Sequence, residues 1–100
     1  MSKEFKIRWL RKALKNLDDA LSFIAAENLQ SASASANKIQ KSIKLLKTNP
    51  QLGHVGRIHN TRELLVPGTR FLIPYRVDPG KMEIQILRVF HTSQNLPDKW

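Results

Sequence analysis

The spacing of hydrophobic and polar positions changes along the chain, and each change of period marks an element. Lys3 to Trp9 alternates, with Phe5, Ile7 and Trp9 on one side and Lys6 and Arg8 on the other. That pattern predicts a strand with one wet face. Leu10, Ala13, Leu14, Leu17, Leu21 and Ile24 then fall at helical spacing, which predicts a first helix fading near Glu27 or Asn28. Leu29, Ala32, Ala36, Ile39, Ile43 and Leu46 mark a second helix. Its stretch from Ser31 to Asn37 is small and only weakly helix-forming. Small side chains let two backbones approach closely, so Ala32 and Ala36 are read as the contact with the first helix. Thr48-Asn49-Pro50 closes it, because the residue before a proline avoids the helical region.

Residues 50–60 read as a loop with two glycines. The period then becomes two. Thr61–Val66, Arg70–Val77 and Met82–Phe90 are predicted strands, with turns at Pro67-Gly68 and at Asp78-Pro79-Gly80-Lys81. Pro-Gly does not suit the tightest hairpin, which wants positive φ at its first central residue, so slightly longer loops are expected. Pro74 lies inside a strand and cannot donate to a ladder, so it is expected to face an edge or a bulge. The order is β-α-α-β-β-β. The expected fold class is α+β: a helical hairpin packed on one face of a small, mainly antiparallel four-stranded sheet, in one domain spanning residues 1–100.

Composition narrows the setting. The chain has 100 residues, no cysteine and no long apolar run. Disulfides, thiol nucleophiles, thiolate metal sites and a transmembrane helix are therefore excluded, and no signal-peptide core precedes Trp9. A cytoplasmic location and no membrane partner are expected. The 17 basic and 8 acidic residues leave a net charge of +9, which points to a polyanionic partner. Much of that charge falls on the second helix, where Lys38, Lys41, Lys44 and Lys47 recur every three residues, with Arg57 and Arg62 beyond. No acid occurs between Glu27 and Glu63. This broad sector is either the wet face of the helix or a footprint for nucleic acid or an acidic protein.

Candidate chemistry is sparse. His54, His59 and His91 have no carboxylate at ligand spacing, so no metal site is expected. Adjacent Asp18 and Asp19 point to different sides of a helix and make no acid pair. Four scattered glycines match neither a dinucleotide fingerprint nor a phosphate loop, so no cofactor is expected. Strand parity is more pointed. Arg62 shares a side with Leu64 and Val66, and Arg88 with Met82, Ile84 and Ile86. An arginine on an apolar face must be paired, so each either holds acids or helix carbonyls at a strand end or lines a cleft. The opposite face would carry Leu65, Leu72, Pro74, Leu87 and Val89, too apolar for a wet surface. It is covered by a partner segment, or in part by the chain's own stretch from His91 to Trp100. His91 has the chemistry of a general acid or base, but spacing assigns it no partner.

In this order and spacing, the residues resemble a known family. Trp9 ends the first strand; Ala13, Leu17, Ile39 and Leu46 follow on the helices; then come Pro50, Gly53, Arg62-Glu63-Leu64, Pro67-Gly68-Thr69, Tyr75-Arg76-Val77 and Leu87-Arg88-Val89-Phe90-His91. Over nearly its whole length the chain resembles the RelE/ParE superfamily of toxins from bacterial type II toxin–antitoxin systems. The resemblance implies the same β-α-α-β-β-β fold and one of two activities: cleavage of mRNA on the ribosome, or poisoning of DNA gyrase. RelE-like nucleases place basic residues on the middle strands and just after the last. The matching positions here hold Glu63, Leu65, Leu72 and Thr92. The short polar tail Thr92-Ser93-Gln94 looks closer to the ParE branch. The expected function is therefore a gyrase-inhibiting toxin without chemistry of its own. The alternatives are a nuclease using Arg88 and His91, or an inactive module that only binds an antitoxin. The expected target-binding basic surface comprises Arg62, Arg76 and Arg88. The resemblance also implies a cognate antitoxin, bound in a hetero-oligomer through an acidic amphipathic C-terminal segment. Its expected contacts are Leu14, Leu21, Lys41, Leu65, Leu72 and Leu87.

Overall fold

The computed structural model describes residues 4–93 and 95–100. Lys3, the expected start of the first strand, and Gln94 of the polar tail lie outside them. The alternating segments form β1 (Lys6–Trp9), β3 (Arg62–Leu65), β4 (Phe71–Asp78) and β5 (Glu83–Ile86), and the helical segments form α1 (Arg11–Glu27) and α2 (Leu29–Leu46). Two short strands, β2 (His54–Val55) and β6 (Phe90–His91), complete a sheet ordered β1-β5-β4-β3-β2, with β6 paired to β4. The fold class is α+β, as expected. The sheet is mixed: β1 runs parallel to β5, which the helical hairpin makes possible by carrying the chain back across the sheet.

A single extended residue separates the helices. Asn28 (φ −155°, ψ 105°) ends α1 and caps α2, its side chain accepting from the Ser31 N–H. Ala13, Leu17, Ala20 and Ile24 of α1, with Ile39, Ile43 and Leu46 of α2, meet one face of the sheet. That face presents Leu64, Phe71, Ile73, Tyr75, Ile84 and Ile86. Ala32, read as a close-approach position, is buried. Among the described residues, no helix is long and apolar enough to cross a membrane.

Both hairpin loops are longer than two residues. Asp78 pairs with Glu83, leaving four residues between them, and Met82 turns at φ 50°. Met82 thus closes the turn and does not open the last strand. That strand is also interrupted. Ile86 pairs with Tyr75 and Phe90 with Leu72, so four steps on one strand face three on the other. One extra residue is a β-bulge, and it lies opposite Pro74, which accepts from the Leu87 N–H but has no N–H to return. The expectation that Pro74 faces an edge or bulge holds. The expectation that Val89 points away from the helices does not: the bulge turns Val89 into the core cluster.

The 50–53 loop is clamped onto the sheet by Tyr75. Its hydroxyl donates to the Pro50 carbonyl (2.9 Å) and accepts from the Gly53 N–H (2.8 Å). A side chain at residue 53 would meet the Glu63 carbonyl oxygen and the Tyr75 ring, both at 2.7 Å, so only glycine lets the loop approach this closely. Tyr75→Phe leaves the Gly53 N–H buried without that acceptor. It is expected to cost about 1–3 kcal/mol in denaturant unfolding, with an unchanged m-value.

Candidate functional site

Strand parity places the polar side chains before any chemistry is considered. Arg62 pairs with Tyr75 and shares the helix-facing side. Its Nη1 donates to the Gly53 carbonyl at 2.7 Å. It is half-buried at a strand end and holds a loop carbonyl, not the helix carbonyl or acid expected. Arg76 lies on the outer face, where Nε and Nη2 both donate to Gln85 Oε1 (3.0 and 2.6 Å). Arg88, in the bulge, donates from Nε to Asn16 Oδ1 of α1 (2.7 Å), and its guanidinium lies 4.8 Å from the centre of the Phe90 ring. The three arginines therefore have separate partners.

Arg88 and His91 do come together. A groove of about 620 Å³ runs between α1, α2 and the bulged strand. Asn16, Asp19 and Phe23 form its α1 wall, and Arg70, Arg88 and His91 its strand wall. Regular alternation would put residues 88 and 91 on opposite faces; the extra residue turns His91 to the helix side, which Arg88 shares with Ile84 and Ile86. His91 packs edge-on against Phe71 (5.7 Å between centres, 89°). Its Nδ1 accepts from the Ser93 N–H (3.2 Å) and contacts Ser93 Oγ (2.5 Å). In the neutral ring this leaves the proton on Nε2. Asn16 Oδ1 also accepts from the Val89 N–H (3.2 Å), so one helix amide holds both the bulge backbone and the Arg88 side chain. Sequence reasoning missed Asn16, Asp19 and Arg70, since only the folded hairpin brings them to the groove. The exposure of Phe23, at 74%, breaks the helical pattern and carried no signal on its own.

The outer face is less wet than alternation suggests. Leu72, Pro74 and Leu87 are buried, while Leu65 remains 53% exposed. The chain's own tail lies here: Trp100 stacks on Phe90 (5.2 Å between ring centres) and under the Arg57 guanidinium (5.6 Å). Among the described residues, the buried Trp100 Nε1 has no hydrogen-bond partner. Of the expected antitoxin contacts, Leu14 and Lys41 are exposed, Leu21 and Leu65 partly or largely so, and Leu72 and Leu87 covered.

Beside that tail sits a buried carboxylate that parity alone did not reveal. Glu63, 2% exposed, pairs across the strand with His54 and receives three hydrogen bonds from Arg57. These come from the backbone N–H (2.9 Å), Nε (3.0 Å) and Nη2 (3.0 Å). Burial pushes the Glu63 carboxyl up, but the Arg57 hydrogen bonds and the Arg57 and His54 charges outweigh it and hold the group below its ordinary value. A carboxylate lowered in the native state contributes stability above the ordinary carboxylate range and loses it as pH falls through and below that range. Glu63→Gln is expected to cost about 2 kcal/mol near neutral pH, the partial exposure of Arg57 reducing the loss of a fully buried pair. Denaturant midpoints followed down to about pH 3 should fall less steeply in the variant than in the native chain. Equal slopes would refute the role given to this pair.

Comparisons with known proteins bear on the family and the fold. A sequence model described as "ParE toxin of type II toxin-antitoxin system, parDE" matches residues 7–96. A protein of Sinorhizobium fredii named "Putative toxin Y4kP" is 33% identical over 92 residues, 92% of this chain and 93% of that one. Among solved structures, the chromosomal ParDE toxin–antitoxin system of P. aeruginosa gives a TM-score of 0.77 at 28% identity, covering 88% of this chain and 96% of that chain. The RelBE2 toxin–antitoxin complex of Mycobacterium tuberculosis gives a TM-score of 0.63 at 16% identity, covering 94% and 98%, a likeness of fold.

Proposed function

Because this chain belongs to the ParE toxin family of type II toxin–antitoxin systems, we propose that it inhibits DNA gyrase without chemistry of its own. A cognate antitoxin holds it inactive. The observation that carries this reading is what occupies the positions where RelE-like nucleases keep positive charge. Glu63 is negative and engaged by Arg57, Leu72 is buried, and Leu65 and Thr92 are uncharged. Stabilising a phosphoryl transition state needs donors aimed at the developing charge. Here Arg88 spends its Nε on Asn16 and its face on Phe90.

The antitoxin reading draws on the relatives solved as toxin–antitoxin complexes. An acidic amphipathic segment suits the surface stripe of Leu14 and Leu21, the exposed Lys41 and the half-exposed Leu65. Leu72 and Leu87, already buried in the chain by itself, contribute less. Since gyrase is a cytoplasmic target, the toxin acts in the cytoplasm.

Purified toxin added to gyrase, ATP and relaxed plasmid is expected to block supercoiling or trap linear DNA. In parallel, mRNA on programmed ribosomes should stay intact. His91→Ala should leave gyrase inhibition within about threefold, since a binding poison needs no proton transfer from that ring, whereas a nuclease losing its acid or base would fall by about a hundredfold or more. Cut mRNA with normal gyrase activity would overturn the reading, and absence of growth arrest on expression would point to an inactive antitoxin-binding module.

A further inference from the structure

Beyond the groove and the outer sheet face lies the outward side of α2, of which only Lys41 has a role so far, as an antitoxin contact. Its inward side is buried through Ala32, Ile39, Ile43 and Leu46. Its outward side carries only uncharged or basic residues, for no acid occurs in Leu29–Leu46. Lys38, Lys41, Lys44 and Lys47 form no ion pair with any described residue; Lys38 donates to the Gly68 carbonyl (3.2 Å). Among the described residues that line a shallow hollow with Lys41, Lys44 and Lys47, Glu4 is the one carboxylate.

The spacing of these lysines has a geometric meaning. A step of three residues turns about 300° around an α-helix, roughly 60° short of a full turn. The four therefore fan across about half the circumference, Lys41 and Lys44 near the outward direction and Lys38 and Lys47 on the two flanks. A straight line of charge would suit one facing acidic helix. A two-sided fan suits charge on both sides at once. A helix about 10–12 Å across matches the roughly 12 Å major groove of B-form DNA, whose walls are two phosphate rows. On the same side of the helix Gln30, Asn37 and Gln40 are exposed, side chains able to bond adenine edges.

We infer that the outward face of α2 binds double-stranded DNA, the lysines contacting phosphates on both walls of the major groove. This does not rest on the gyrase reading, since the free chain binds the duplex directly. An A-form RNA duplex, with its deep and narrow major groove, binds more weakly.

The test uses the purified chain and a fluorescent 20-base-pair duplex, followed by anisotropy. Four phosphate contacts give a log–log salt slope of about −3 to −4. Lys41→Glu with Lys44→Glu should weaken binding more than tenfold in low salt and reduce the slope by about 2. Lys12→Glu with Lys81→Glu, which changes net charge equally but lies off α2, should weaken it less than threefold. All four positions are solvent-exposed, so thermal melts should match the native chain. No binding in low salt, equal loss from both double variants, or displacement of DNA by polyglutamate at matched charge would overturn the inference. Equal affinity for duplex RNA would do so too.

Discussion

Pro74 has no N–H to give the strand beside it, and the arrangement of the groove follows from that. Leu87 donates to the Pro74 carbonyl, but no reciprocal bond can form, and the ladder resumes only at Phe90 opposite Leu72. The extra residue in between reverses the parity of everything after it. Val89 enters the core, Phe90 moves to the outer face, and His91 turns to the helix side. The freed backbone at residue 89 would be costly if left unsatisfied. Asn16 of α1 resolves this by accepting from the Val89 N–H while also holding Arg88. Helix, bulge and guanidinium are thus one unit, and the groove walls are fixed relative to each other before any partner arrives.

The same reversal organises the outer face. Phe90, turned outward, has Arg88 against its ring and is stacked on by Trp100; Trp100 lies under Arg57; Arg57 holds Glu63. Each contact is modest by itself, roughly 0.5–2 kcal/mol for a cation over an aromatic ring. Together they let a small sheet keep an apolar strip of Leu72, Pro74 and Leu87 out of water without a second layer of helices. Glu63 is tolerated inside this strip because Arg57 satisfies both of its oxygens.

How legible was this in the sequence? The helices were, because Leu10 to Leu46 repeats at helical spacing and Asn28 caps within one residue. The central strands were, because their inward positions alternate without a break from Phe71 to Val77. Pro74 announced a bulge but not its consequence: the shift of Val89 depends on where the extra residue is absorbed, which pairing decides and composition does not. The parallel pairing of β1 with β5 and the two-residue strands β2 and β6 depend on distant backbone partners and carry no periodic signal of their own. For the site, Arg88 and His91 were readable as candidates. That they share a groove was not, since alternation alone would have separated them. Glu63 was visible as a charge on a strand, but its burial needed Arg57, six residues earlier, to fold back over it.

The helices also show how far fold and surface charge are independent here. A helix gains from acids in its first turn and bases in its last. α1 has neither, beginning with Arg11 and Lys12 and ending with Glu27. Its stability must come from packing Ala13, Leu17, Ala20 and Ile24 against the sheet, since its charges oppose the dipole. In α2, Lys44 does sit in the last turn and gains from the dipole. Lys38 and Lys41 lie more than a turn before the end, too far for that effect, which fades within the last turn. Lys44 apart, then, the lysines of α2 gain nothing from the dipole. Residues that add nothing to folding, and that concentrate one sign on one face, raise the local concentration of polyanions and the rate of meeting them. The core determines where these helices sit, and the surface charge they carry determines what they meet.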